Sequence, residues 1–172
     1  AAYLHLFRMA DSRIRGPEAA AWLARLEPEQ DNLRAALQWT LDERRFADTA
    51  WLLLAAWWFL VHTGHGYEGG RWISLLLPHR AALGPDVQLA LLTHLCAVAP
   101  ASEESRPMDR YGDEMLGLLE VCPDKLLHAA FWYFTAVFSA NPSQAGAAFE
   151  RAIACARAAC EAPGLGLEFG LA

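Results

Sequence analysis

The residues with the clearest chemical potential lie between positions 62 and 69, where two histidines and a glutamate alternate with glycines. Gly64, Gly66 and Gly69 have the G-x-G-x-x-G spacing that lets a pyrophosphate approach the start of a helix. That fingerprint works after a strand, whereas a helical segment precedes it here. We therefore interpret these glycines as a helix–helix turn that needs positive φ and close packing.

A metal site is the second chemistry that this segment suggests. His62, His65 and Glu68 are within reach of one ion along the chain, but a predicted helix end separates the two histidines. His62 is typical of a basic residue in a last helical turn, and His65 of a turn residue. The sequence therefore predicts no metal ligands, and a small metal-dependent enzyme is the least favoured function.

Other candidate groups also favour a non-catalytic protein. Lys125 is the single lysine and follows no glycine run, so no phosphate-binding P-loop is predicted. Asp109, Asp113 and Glu114 fit the solvated face of a helix. The four cysteines form no C-x-x-C pair and suit the interior of a protein in a reducing compartment. We predict no catalytic residue and no cofactor.

Composition favours an all-α cytoplasmic protein, and thirteen arginines against one lysine suggest a GC-rich, bacterial genome. Alanine and leucine supply 60 residues, against 13 for valine, isoleucine and threonine together. The formal net charge is −6 and no basic stripe is visible, so direct nucleic-acid binding is not expected. The start of the chain does not resemble a signal peptide. The uncharged run from Thr49 to Val61 is too short for a membrane span.

The element that organises the chain is a predicted helical hairpin over residues 46–77. Its first helix is apolar all round, which indicates burial on several sides. We predict that helices in residues 1–45 lead into one continuous repeat domain over residues 46–172. Its fold would be a right-handed stack of antiparallel helix pairs, a degenerate superhelix of the tetratricopeptide (TPR) type. Residues 99–106 are predicted to be a loop, and residues 165–172 the start of a helix that continues beyond the segment.

The last complete helix supports the repeat interpretation. Residues 143–160 fit the second helix of a TPR-type repeat, with small residues at Ala145, Ala148 and Ala152 that let helices approach. Phe149 is expected to be the knob that inserts into the neighbouring helix. Residue 115, which is 34 positions earlier, falls in the second helix of the preceding pair. The interval from residue 115 back to the equivalent position in the hairpin before that is longer than 34 residues. The repeats are therefore degenerate.

Two stretches resemble a known family. They are WLARLEPEQDNLRAALQW (22–39) and LAAWWFLVHTGHGYEGGRWISLLL (54–77). Together they resemble the region behind the nucleotide-binding core of bacterial STAND-class ATPases, many of them LuxR-type or SARP-type transcriptional regulators. Gly70 departs from that pattern, because relatives usually have arginine there. The resemblance implies a sensor or scaffold region, with a nucleotide-binding module elsewhere in the same polypeptide.

A binding groove is the functional prediction. Counting back from Gly64 places Leu53, Trp57 and Leu60 on a packing face of the first hairpin helix, and a second face on the concave side of a stack. The predicted groove residues are Trp51, Trp58 and His62, together with Phe134 and Phe138 of a later hairpin. An aromatic groove suits a protein or peptide partner or a small effector. A free-standing TPR-like adaptor is the alternative to a regulator segment, and burial of these rings in a core is the alternative to a groove.

Overall fold

The computed structural model describes residues 2–98 and 106–161, and all the regular structure in these two ranges is helical. The α-helices are α1 (Ala2–Ile14), α2 (Ala19–Leu26), α3 (Gln30–Asp42), α4 (Phe46–His62), α5 (Gly66–Leu76), α6 (Pro85–Val98), α7 (Pro107–Val121), α8 (Lys125–Phe138) and α9 (Pro142–Glu161). Short 3-10 helices span Glu27–Glu29 and Leu77–Ala82. The predicted all-α class is confirmed for these residues.

The chain divides into two compact units, the first running through Gly84 and the second beginning at Pro85. A Gly-Pro pair breaks regular structure, so this is a natural place for a division. The division predicted from the sequence lies between residues 45 and 46. Helices α3 and α4, which flank that position, contact each other within the first unit.

Helix α4 is the centre of the first unit. It contacts α1, α3 and α5, and its predicted packing face is buried at Leu53, Trp57 and Leu60. The ring of Phe59 meets that of Phe7 on α1, with ring centroids 5.6 Å apart. An uncharged helix buried on several sides is the arrangement that its sequence predicts. Across the described residues, no helix has the length and apolarity that crossing a bilayer requires.

The two turns on either side of α4 have the same backbone pattern. After α3, the amides of Arg44 and Arg45 donate to the carbonyls of Leu41 and Thr40; after α4, the amides of Gly64 and His65 donate to those of Val61 and Leu60. This pair of bonds defines the Schellman motif, whose C′ residue adopts the left-handed conformation. Here φ is 55° at Arg44 and 80° at Gly64. The predicted turn glycine at position 64 is confirmed.

Gly69 lets α5 approach α4 closely. A Cβ placed at this position would lie 3.0 Å from Cζ3 of Trp57, whose side chain is 3% exposed. Real Cβ atoms rarely come that close to a buried ring, so the hydrogen at position 69 is what makes room for the indole. The prediction that Trp57 is deeply buried is confirmed.

An ion pair joins the stretches 22–39 and 54–77. The Nε and Nη2 atoms of Arg34 on α3 donate to the two carboxylate oxygens of Glu68 on α5, at 2.7 and 2.8 Å. Arg34 also bonds Asp31 one turn earlier, at 2.9 Å. The bidentate geometry fixes α3 against α5. The arginine of the first stretch and the glutamate of the second are therefore structural partners.

In the second unit, α6 is buried on every side and α8 packs closely along α9. Leu89, Ala90, Leu91 and Leu92 are four consecutive buried residues of α6. Ala148 and Ala152 of α9 are buried at the close approach to α8, as predicted. Phe149 is 40% exposed, so its predicted role as an inserted knob is wrong. One step along α9 rotates a side chain by about 100°, which moves Phe149 off the face that the alanines use.

From the sequence, Asp86 is predicted to cap α6 and Pro123 to open α8, and both helices start at a different residue. Helix α8 begins at Lys125 rather than Pro123, because the Asp124 side chain caps it by accepting from the amides of Leu126 and Leu127. Pro85 is the first residue of α6, so Asp86 lies in the first turn and is not the cap. The predicted loop at 99–106, apart from Arg106, and the predicted helix start at 165–172 lie outside the described residues.

Candidate functional site

In the first unit, the predicted groove residue Trp51 lies beneath a cation. The guanidinium carbon of Arg8 on α1 is 5.1 Å from the centroid of the indole ring. Such a contact contributes about 0.5–1 kcal/mol at an exposed site. Trp51 is half-buried between α4 and α1, so its ring already has a neighbour from its own unit.

Trp58 and His62 lie together on α4, one turn apart. Nδ1 of His62 is 2.8 Å from the backbone oxygen of Trp58, and the two ring centroids are 5.8 Å apart. The indole Nε1–H of Trp58 is enclosed and has no hydrogen-bond partner among the described residues. His62 is exposed in the last turn of the helix, where its positive form interacts favourably with the helix dipole.

The structure does not bring His62, His65 and Glu68 together as metal ligands. His62 bonds its own helix, and Nδ1 of His65 is 3.7 Å from Glu68. The bidentate bond to Arg34 lowers the pKa of Glu68 and occupies both of its oxygens. Residues 2–98 and 106–161 contain no group of three potential ligands that could hold a metal ion.

The thiols that are buried show no sign of nucleophilic activation. Burial raises the pKa of Cys96 to about 12, and burial is also the main reason that the pKa of Cys122 is raised. A thiol needs a lowered pKa to act as a thiolate at neutral pH. Cys96 and Cys122 are therefore small apolar core residues, as predicted. Cys155 is half-buried and Cys160 is exposed, so the predicted interior location is wrong for Cys160.

In the second unit, Phe134 and Phe138 stack on one another one turn apart on α8. Their ring centroids are 6.1 Å apart with an interplanar angle of 17°. The guanidinium carbon of Arg106 lies 5.6 Å from the centroid of Phe138, and Tyr133 meets Phe134 edge to face. The structure thus pairs Trp58 with His62 in the first unit and Phe134 with Phe138 in the second, whereas Trp51 lies beneath Arg8. That these residues share a groove stays a prediction.

A groove lies between the start of α7 and the facing sides of α8 and α9. We call it the α7–α9 groove, and its volume is about 480 Å³. Its lining includes Met108, Asp109, Trp132, Phe138, Gln144 and Arg151. It follows α8 from Trp132 to Ser139 and α9 from Gln144 to Arg151, which is about 10 Å along each helix. Ligand sites of small molecules have volumes of about 300–1,000 Å³.

One wall of this groove is an arginine stacked on a tryptophan. The guanidinium carbon of Arg151 is 4.5 Å from the centroid of Trp132, and both side chains line the groove. The hydroxyls nearby are engaged, because Thr135 donates to the Phe131 carbonyl and Ser139 to that of Asn141. The accessible polar groups are therefore those of Arg151, Asp109 and Gln144.

Of the predicted residues, only Phe138 lines the α7–α9 groove. Sequence reasoning missed Trp132 and Arg151. A signal was present, because Trp132, Thr135 and Phe138 are three residues apart and form a stripe along α8 beside the buried Leu127 and Phe131. The repeat register favours a different stripe on α8, the one that contains Phe134 and Phe138.

No protein-family model, no curated protein and no solved structure matches this chain.

Proposed function

We propose that this chain is a non-catalytic helical-repeat module of a bacterial STAND-type transcriptional regulator, and that it binds a partner or effector in the α7–α9 groove. The groove is the observation behind this proposal. It combines aromatic walls at Trp132 and Phe138 with a few polar groups at its edge, as ligand sites commonly do. Its hydroxyls bond the backbone, which favours recognition over nucleophilic chemistry.

The helix packing in the second unit supports a repeat architecture. Helices α6 and α7 form one pair and α8 and α9 the next, and the first helices of the two pairs contact each other. Stacked hairpins that contact only their neighbours are the basis of helical-repeat proteins. A right-handed TPR-like superhelix is therefore the arrangement that we propose for the full stack.

The resemblance to STAND regulators is supported by the ion pair in the first unit. Arg34 and Glu68 come from the two resembling stretches, and their bidentate bond gives each a reason to be present. In this proposal, a nucleotide-binding module of the same polypeptide responds to what the helical module binds. The polypeptide would be cytoplasmic, and DNA would be contacted by another part of it.

Binding can be tested by NMR with a chain labelled with [15N]tryptophan. Each of the seven tryptophans gives one indole signal, and a Trp132→Phe variant assigns the signal from the groove. We expect the compounds that bind from a library of small amphipathic molecules to shift the Trp132 signal. Trp39 on α3, which is 54% exposed, is the control for nonspecific contact. Compounds that bind and shift other indoles but never that of Trp132 would refute the proposed site.

The reading frame of the gene separates the regulator from the alternative adaptor. A nucleotide-binding module encoded upstream of Ala1 in the same frame supports the regulator. A frame that encodes helical repeats alone supports a free-standing adaptor, and the α7–α9 groove then serves that protein instead.

A further inference from the structure

The guanidinium of Arg151 forms no ion pair with a carboxylate of the described residues. The residues three and four positions away on α9 are Ala147, Ala148, Ala154 and Cys155, so no helical ion pair is possible. The neighbouring helix α8 contains no acidic residue. Among the described residues, the contact that Arg151 makes is the stacking on Trp132 at 4.5 Å.

Among the described residues, Asp109 is the one carboxylate that lines the same groove, and its charge has a structural role. It lies in the first turn of α7, where a negative side chain interacts favourably with the helix dipole. Within the described part of the chain, Asp109 and Arg151 do not form an ion pair with each other. The negative charge of Asp109 is therefore stabilised by the dipole of its own helix, α7. The positive charge of Arg151 on α9 is not paired in this way.

We infer that the α7–α9 groove binds a small organic anion, with a carboxylate that pairs with Arg151 and an apolar body that lies against Trp132 and Phe138. This inference rests on the proposed function of the groove and adds the chemical class of the ligand. The guanidinium presents a planar fork that matches a carboxylate, and stacking on an indole restricts it before the ligand arrives. A groove about 10 Å long suits one such molecule.

The surrounding charges favour an anion with a single charge. From residue 85 onward the chain has eleven acidic residues and five basic ones, so the second unit as a whole repels anions. A bidentate contact is short-ranged and is screened less by salt than this general repulsion. Asp109 opposes binding directly, so neutralising it should strengthen binding.

The inference can be tested with 3-phenylpropionate and its neutral amide, 3-phenylpropanamide, followed by the indole signal of Trp132. We expect saturable shifts with the acid, and binding at least tenfold weaker with the amide. Arg151→Gln should weaken binding of the acid by about 10- to 100-fold, as expected for loss of a charged hydrogen bond. Arg151→Lys should fall between these two, because lysine keeps the charge but loses the planar fork.

Arg157→Gln is the matched control, because it removes the same charge from the same helix at a residue outside the groove. We expect it to leave binding of the acid within about twofold, whereas Asp109→Asn should tighten it. The Arg151 side chain is exposed, so its variants should stay folded, which thermal unfolding followed by circular dichroism checks.

The outcomes separate this inference from the proposed function. Equal binding of the acid and the amide, or full binding by Arg151→Gln, overturns the role of Arg151 and leaves the groove as a binding site. No shift from either probe also overturns the inference, and the library screen then decides whether the groove binds anything. An acetylated and amidated Ala-Glu-Phe peptide that binds more tightly than the free acid shows that the occupant is a peptide segment instead.

Discussion

Replacement of Gly69 by alanine tests how tightly α5 and α4 are packed. In a helix, alanine is favoured over glycine by about 1 kcal/mol. At this position the new methyl carbon would lie 3.0 Å from Cζ3 of Trp57, which is buried and cannot easily move. Overpacking of a core costs about 1–3 kcal/mol. We expect the packing cost to dominate, so that Gly69→Ala lowers the free energy of unfolding by up to about 2 kcal/mol.

The matched control is Gly117→Ala on α7, where a Cβ would meet nothing within 4 Å. There the helix preference acts alone, so the variant should be more stable by about 0.5–1 kcal/mol. A second control places Gly69→Ala in a Trp57→Phe background. The smaller ring leaves room for the methyl group, and alanine should become neutral or stabilising relative to that background.

Urea unfolding is the assay. Six of the seven tryptophans lie in residues 1–84, so tryptophan fluorescence mainly follows the first unit, and far-UV circular dichroism follows Gly117→Ala. The reasoning fails if Gly69→Ala raises stability by as much as Gly117→Ala does. That result would mean that the indole of Trp57 yields at little cost, and that Gly69 is not required for packing.

Two further predictions concern acid stability and the predicted groove. Burial lowers the pKa of His94 to about 4, against about 6.5 in an unfolded chain, so the unfolded state binds more protons between these values. The free energy of unfolding should therefore fall as the pH is lowered through this window, by about 2 kcal/mol at pH 5 and about 3 kcal/mol below pH 4. His94→Leu should reduce the difference between the free energies of unfolding measured in urea at pH 7 and at pH 5. The control His5→Gln, at an exposed residue, should leave this difference unchanged. If His94→Leu also leaves it unchanged, His94 is not the cause of the pH dependence. Neither Trp58 nor Phe134 lines the α7–α9 groove, so Trp58→Ala combined with Phe134→Ala should leave binding in that groove intact. Loss of binding with little change in the melting temperature would instead favour the groove predicted from the sequence. If the double variant unfolds instead, these rings are core residues.

Helix positions and turns were largely predictable from the sequence, because local rules decide them. The positive φ at Gly64 follows from a glycine after an apolar helix, and the burial of Trp57 from an uncharged segment. Asp124 was missed as the cap of α8 because the preceding proline is also a common helix start. Pro123 and Asp124 each fit a rule for the start of a helix, and only the side-chain hydrogen bonds of Asp124 identify it as the cap.

The candidate site was less predictable, because it depends on which helix faces meet. Nothing in the sequence distinguishes Arg151 from the other arginines, and only the fold places it over Trp132. The expected insertion of Phe149 as a knob was wrong for the same reason: a register error of one residue on α9 changes which side chain faces α8. The sequence could identify an aromatic surface on α8, but not the charged residue that completes it.

Arg44 and Gly64 occupy the same position of the same turn, and this equivalence suggests a route to a more thermostable scaffold. A side chain with a Cβ is strained in the left-handed conformation, and Arg44 is exposed on the surface, so glycine should fit better there. The greater freedom of glycine in the unfolded chain offsets part of this gain, which leaves about 0.5–1 kcal/mol. The link between α3 and α4 is therefore a good first position for engineering.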